Sequence, residues 1–268
     1  MFLIHKNMSN KLGISIEQIV HLYEEGKTPI EIAELLGCHN SNIVKRLHKY
    51  GIKNTRDYTR VRHNRNGRHA VDISFFKDIN TEEKAYFLGI MMSDGSVHKN
   101  GFYLKLKDED VVVKFKSILC SDSPIIHHEK PYYNYILQIY SQEIVEDLIK
   151  LGCVPNKTKI LQFPPIPKEL YSHFIRGYMD GDGCIRVGKT RSTDYFDITS
   201  ASYTFLLQLK EILTPYTSHI GISKEKKCDV WHLRCGGKQV KPLLDWIYKD
   251  STVYMQRKFF KYQLLSPR

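Results

Sequence analysis

Two nine-residue segments of this chain are variants of one pattern, and their recurrence narrows the fold more than any bulk property does. The first is Phe87-Leu88-Gly89-Ile90-Met91-Met92-Ser93-Asp94-Gly95 and the second is Ile175-Arg176-Gly177-Tyr178-Met179-Asp180-Gly181-Asp182-Gly183. Their final acids lie 182 − 94 = 88 residues apart. Each segment reads as a helix that ends at Asp-Gly, with Gly95 and Gly183 expected as left-handed caps. Gly89 and Ser93 stand four apart, as do Gly177 and Gly181. Small residues at that spacing let two helix backbones approach closely. Packed on each other, the two helices would bring Asp94 and Asp182 together.

The flanks repeat as well. After Gly95 the pattern predicts a hairpin over 96–106 turning at 99–101, a helix over 111–119, a hairpin over 124–140 and a helix over 142–151. After Gly183 it predicts a hairpin over 184–200, a helix over 203–213, strands near 219–224 and 229–235, and helices over 238–248 and 254–264. Each copy is therefore α-β-β-α-β-β-α, in an α+β chain.

Two carboxylates at two helix C-termini repel each other and the helix ends. A divalent cation resolves that conflict, and Mg²⁺ accepts one or two carboxylates alongside phosphate oxygens and water. Ser93 and Gly181, next to the acids, are grouped with them as metal-site residues. A calcium loop beginning at Asp180 is excluded, because Arg191 stands where the bidentate Glu is needed.

Residues 14–52 read as three short helices. Ser15 caps the first, Pro29 opens the second, and Asn40 or Ser41 starts the third. Ile30, Ala33 and Leu36 are the expected inner stripe of the second helix. Two short helices joined by a glycine-containing turn make a helix-turn-helix unit, and Ile30–Cys38 resembles the core of that family. Asn42, Lys45, Arg46 and Lys49 on the third helix suit base edges and phosphates. A small three-helix interaction module is the alternative. Nine Lys/Arg fall between Lys45 and Arg68 against the single acid Asp57. Arg60, Arg62 and Arg65 belong to this basic linker, whose expected task is to track phosphates.

The whole chain carries 40 Lys+Arg against 29 Asp+Glu, a net charge of +11 over 268 residues. That balance calls for a polyanion, either nucleic acid or an anionic membrane face. No apolar run approaches the ~18 residues that span a bilayer. The opening apolar stretch is too short for a secretion signal, so an intracellular protein is expected. The six cysteines are scattered, with no paired spacing for zinc or a disulfide frame.

The two segments resemble the LAGLIDADG motifs of homing endonucleases in their monomeric two-repeat form. The second is the closer match, preceded by Phe163-Pro164 and His173-Phe174, whereas the first has Met92 where the motif has its earlier acid. The resemblance covers about 200 residues. It implies two pseudo-symmetric αββαββα repeats whose sheets form a DNA-binding saddle. It further implies Mg²⁺-dependent cutting of both DNA strands, with Mn²⁺ as a substitute, and short 3′ overhangs. Asp94 and Asp182 match the metal acids. Lys157 and Lys258 match basic residues near the scissile phosphates, with Lys159 or Arg257 as alternates. Strand alternation puts Tyr103, Lys105 and Lys107 on the DNA face of the first repeat, and Arg186, Gly188, Asp197 and Thr199 on that of the second.

The expected layout is a helix-turn-helix domain at 1–52, a basic linker at 53–72, a first repeat at 73–162 and a second at 163–268. The readings to weigh against an intron-homing, site-specific endonuclease are a non-catalytic DNA-binding regulator and a maturase acting on intron RNA. A transposase with an acidic triad is disfavoured by the duplicated motif. An intein is disfavoured by the absence of a starting Cys or Ser and a terminal His-Asn.

Overall fold

The computed structural model describes residues 15–25, 27, 29–50, 52, 61–63, 69–129, 133–226 and 228–265. The chain divides into two compact units, Met1–Val61 and Arg62–Arg268.

In the first unit, helices α1 (Ile16–Glu24), α2 (Pro29–Leu35) and α3 (Asn40–Lys49) close over Ile19, Ile32, Ala33, Ile43 and Leu47. Ser15 caps α1 by accepting from the Gln18 N–H at 3.1 Å. Among the described side chains of this segment Ile32 and Ala33 point inward, with Leu36 packed against them at the edge; the side chain of Ile30 lies outside the described residues. The expected stripe named Leu36 as an inner residue and passed over Ile32, one helical turn before it. Gly37 takes a left-handed φ of 61°, which lets the chain turn sharply toward α3.

Strands β1 (Val61–His63) and β2 (Ala70–Asp72) form a two-stranded sheet within the stretch read as linker. The first repeat follows as α4 (Glu82–Ser93), β3 (Gly95–His98), β4 (Gly101–Leu106), α5 (Glu109–Ile118), β5 (Ile125–His128), β6 (Asn134–Ile139) and α6 (Gln142–Lys150). The second repeat is α7 (Tyr171–Asp182), β7 (Gly183–Arg186), β8 (Tyr195–Ser200), α8 (Tyr203–Leu213), β9 (Gly221–Lys224), β10 (Trp231–Gly236), α9 (Val240–Ile247) and α10 (Gln256–Leu264).

The two antiparallel sheets have the same strand order, β3-β4-β6-β5 and β7-β8-β10-β9. One face of each is apolar and buried under helices; the other is open. On β4, Phe102, Leu104 and Leu106 point inward while Tyr103 and Lys105 point out. On β10, Leu233 and Cys235 point inward while His232 and Arg234 do not.

Helix α4 is buried without interruption from Ala85 to Met92, as a helix covered on every side must be. Its closest partner is α7. A Cβ added at Gly89 would lie 2.2 Å from the Phe174 carbonyl oxygen, and one at Gly177 would lie 2.0 Å from that of Tyr86. The two backbones therefore touch where the spacing of small residues predicted contact. The glycines after the acids differ from expectation. Gly183 is extended (φ −114°, ψ 169°), and Gly95 is not among the positive-φ glycines. Each helix runs directly into a strand. Glycine is needed there because a Cβ would press to within 2.7 Å of Met91 and Met179 respectively.

Candidate metal centre and nucleic-acid interface

Asp94 is the C-cap of α4 and Asp182 the last residue of α7. The α4–α7 contact brings these ends together. A Cβ on Gly181 would sit 2.1 Å from Asp94 Oδ2 and 1.9 Å from Ser93 Oγ. Only glycine admits the Asp94 carboxylate so close to the neighbouring helix. Ser93 Oγ donates to the Ile90 carbonyl at 3.0 Å and lies 3.1 Å from Asp94 Oδ2. The Asp182 carbonyl accepts from Thr199 Oγ1 at 2.8 Å, which ties α7 to β8.

Both acids are held unfavourably. Burial raises the Asp94 carboxyl, against the lowering influence of Ser93, Lys258 and Lys157. Asp182 keeps one side open to solvent, yet desolvation and the Asp94 charge push it up to about 6. A carboxyl raised in the folded state binds protons more tightly there than when unfolded. Its contribution to stability is therefore greatest below the unfolded value near 3.8 and is lost as pH rises through about 6. Without metal, Asp182→Asn should match the parent Tm at pH 4 and exceed it at pH 7 by calorimetry. An equal difference at both pH values would contradict this account.

Two lysines close the rear of the site, one per repeat. Lys157, beside α6, donates to the Gly95 carbonyl at 2.5 Å. Lys258, on α10, donates to the carbonyls of Met179 (2.6 Å), Asp180 (2.7 Å) and Gly183 (2.7 Å). Each thus grips the residue that follows its repeat's acid. Three carbonyls use all three N–H donors of the Lys258 ammonium, and burial pulls this group down to about 8. It acts on the acids through charge and by fixing the helix end, not through a spare donor.

Asp180, two residues before Asp182, faces away from this pair. It is fully buried and accepts from Tyr86 Oη (2.9 Å) and the Met255 N–H (2.8 Å). Burial pushes it up to about 6. In the first repeat Met92 fills the corresponding place, 88 residues earlier, and is itself buried.

A second polar network escaped the sequence reading. The fully buried Arg176 donates from Nη2 to Glu82 Oε1 (2.6 Å), from Nε to the Val253 carbonyl (2.8 Å) and from Nη1 to the Ile247 carbonyl (2.9 Å). Glu82 also accepts from the Thr252 N–H and hydroxyl and from the Val253 N–H. Burial alone would raise Glu82, but the Thr252 and Val253 hydrogen bonds and the Arg176 charge hold it below its usual value. The network lies at the N-terminal side of α4 and joins both repeats to the segment before α10. An arginine inside a motif helix was its only sequence signal.

The remaining predicted contact residues fall in several places. Tyr103, Lys105 and Lys107 are exposed along and just beyond β4, and Arg186 is exposed at the end of β7. Thr199 is on the open face of β8, with its hydroxyl committed to Asp182. On α3, Asn42, Lys45 and Lys49 are exposed and Arg46 is half-buried. Arg62 lies in β1, while Arg60 and Arg65 fall outside the described residues. No group of three or more His, Cys, Asp and Glu side chains arranged to hold a metal ion is present among the described residues.

Comparison with known proteins places these features. Residues 169–247 match the LAGLIDADG-like domain family. A probable translation initiation factor IF-2 of Methanocaldococcus jannaschii is 29% identical over 149 residues, 53% of this chain and 12% of that protein. The DNA-directed RNA polymerase subunit Rpo1C of the same organism is 29% identical over 111 residues, 39% of this chain and 13% of that protein. The chain thus spans about an eighth of the length of these curated relatives. Among solved structures, the I-LtrWI LAGLIDADG homing endonuclease bound to target DNA is 13% identical, with a TM-score of 0.49 over 72% of this chain and 90% of that one. Full-length DUF199/WhiA from Thermatoga maritima is 16% identical, with a TM-score of 0.48 over 72% of this chain and 63% of that one. Together with the duplicated motif helix and the repeated strand order, the family match shows that the chain carries a LAGLIDADG-like domain at residues 169–247, paired with a first repeat of the same architecture.

Proposed function

We propose that this protein is a site-specific double-strand DNA endonuclease of the homing type, hydrolysing phosphodiesters at the Asp94–Asp182 site and leaving short 3′ overhangs. The observation that carries this reading is the meeting of two helix-end carboxylates where α4 crosses α7, with an open sheet face beginning one residue after each. Held together without a metal ion, the acids cost stability that the Lys157 and Lys258 charges offset only in part.

The donor set fits a hard cation. Asp94 and Asp182 would hold Mg²⁺, or Mn²⁺ in its place, beside the Ser93 and Gly181 backbone. When bound, the ion supplies a water of lowered pKa and positive charge at the scissile phosphate. Lys157 and Lys258 fix the carbonyls after the acids, and their charges oppose the carboxylate repulsion. They are positioning residues. Thr199 holds the Asp182 backbone against the second sheet.

Duplex DNA would lie along the open sheet faces, where Tyr103, Lys105, Lys107 and Arg186 meet it. A β-ribbon fits the major groove. The exposed Asn42, Lys45 and Lys49 of α3, with Arg46, would add a second contact of the helix-turn-helix kind. Arg60, Arg62 and Arg65 would follow phosphates between the two. Linked modules raise affinity through effective concentration. With both repeats in one chain, a monomer suffices.

The test is to incubate the purified protein with Mg²⁺ and a library of DNA targets and to sequence the cut ends. One long site with short 3′ overhangs is expected. Binding without cleavage in Mg²⁺ or Mn²⁺ would overturn the catalytic reading and put a non-catalytic regulator or a maturase first.

A further inference from the structure

The open face of the second sheet carries a polar cluster that the acid pair does not use. Its rungs run outward from Asp182. The innermost is Thr199–His232–Ser223, where Thr199 holds the Asp182 carbonyl. Next comes Cys184–Asp197–Arg234–Gly221, and then Arg186–Tyr195.

Asp197 is 8% exposed although it sits on the open face, because its neighbours cover it. Its Oδ1 accepts from Arg234 Nε at 3.4 Å and lies 3.2 Å from His232 Nδ1; its Oδ2 lies 3.0 Å from the same nitrogen. On its other side His232 Nε2 is 3.5 Å from Glu225 Oε2. The Arg234 guanidinium lies 5.8 Å from the centre of the Tyr195 ring. The flanking rung residues, Cys184 and Gly221, are small, and nothing lies within 4 Å of a Cβ built on Gly221. Arg234 is therefore not overtopped, and its side chain is 37% exposed.

A carboxylate on a surface that meets a polyanion is unfavourable unless it has a task. Both oxygens of Asp197 are occupied by neighbours, so it orients them and is not itself free to read a base. It takes Arg234 at Nε, and the Tyr195 side chain also hydrogen-bonds the guanidinium, which leaves three of its five N–H donors on a side chain that is 37% exposed. A guanidinium fork matches guanine O6 and N7 in the major groove. We propose that Arg234, set in place by Asp197 and the Tyr195 ring, reads one guanine of a duplex DNA target and is a specificity-determining residue. The assignment rests on the DNA-binding part of the function proposed above.

The test reads binding alone, so that loss of cutting cannot obscure it. A randomised duplex pool is selected on the full-length protein in Ca²⁺, and base preference is determined position by position for the parent, Arg234→Gln, Arg234→Lys and Asp197→Asn. The parent should show one guanine whose preference falls by roughly 5- to 150-fold in Arg234→Gln, the range for a good bidentate pair. The other positions should not change. Arg234→Lys keeps the charge but lacks the fork that Asp197 orients, and should weaken the same guanine less than Arg234→Gln does, with little loss of overall affinity. Asp197→Asn should weaken that preference without moving it. A profile unchanged in Arg234→Gln, or a uniform loss at all positions, overturns the assignment and leaves the DNA-binding reading standing. Failure of the folded parent to enrich any duplex overturns both.

Discussion

Replacing Asp94 or Asp182 by Asn is expected to reduce DNA cleavage by at least roughly a thousandfold, and replacing both should abolish it. Each carboxylate that holds a catalytic cation secures several kcal/mol of charge stabilisation in the transition state, and ~1.4 kcal/mol is a factor of ten in rate. Affinity for the target in the absence of metal should not fall, because the change removes negative charge from a surface that faces phosphates. Asp180→Asn is the control. Asp180 lies two residues from Asp182 but accepts from Tyr86 and Met255 inside the core, and an amide oxygen can keep those bonds. Its cleavage should stay within about tenfold of the parent. Single-turnover rates on one labelled duplex decide the matter. Equal losses at 94, 180 and 182 would mean that the acids act through stability, and no loss at 94 and 182 would remove them from the chemistry.

The largest stability effect should come from Arg176→Met, not from any residue of the acid pair. Removing the guanidinium leaves the Glu82 carboxylate without its counterion and the carbonyls of Ile247 and Val253 without their donor. Breaking a buried pair by removing one partner costs about 3–5 kcal/mol. For a unit of this size that is a fall in Tm of roughly 6–20 °C. Glu82→Gln should cost less, because its side-chain oxygen can still accept from Arg176 Nη2 and the N–H groups of Thr252 and Val253, although the buried guanidinium loses its counterion. Equilibrium unfolding in denaturant checks both. A loss below about 1 kcal/mol for Arg176→Met would show that the ion pair holds nothing together.

Much of this architecture was legible in the sequence because its signals are local and periodic. The alternation of Phe102, Leu104 and Leu106 with Tyr103 and Lys105 gives a strand with one buried face, and β4 has that face. The spacing of Gly89 and Ser93, and of Gly177 and Gly181, gave the close approach of α4 and α7. What escaped depends on contacts between distant residues. Glu82 meets Thr252 across 170 positions and Arg176 meets Val253 across 77. Neither pairing leaves a periodic trace. Lys157 and Lys258 could be picked out by their place after each repeat, but not the carbonyls they bind. Gly95 and Gly183 looked like left-handed caps because glycine usually serves that way at a helix end. Here the constraint is steric contact with Met91 and Met179. The cluster of Asp197, His232 and Arg234 needs the register of β8 against β10, which no single strand encodes.

The clamp on α4 and α7 also has a consequence for the order in which the protein is made. Asp182 leaves the ribosome 258 − 182 = 76 residues before Lys258. At 5–20 residues per second that is an interval of roughly 4–15 s. During it the two acids exist, but the Val253 carbonyl that receives Arg176, the Met255 N–H that meets Asp180 and the ammonium that grips Gly183 do not. An unfinished chain thus carries both acids with only the first repeat's helix end tied, by Lys157 at Gly95, and the second is tied once Lys258 emerges.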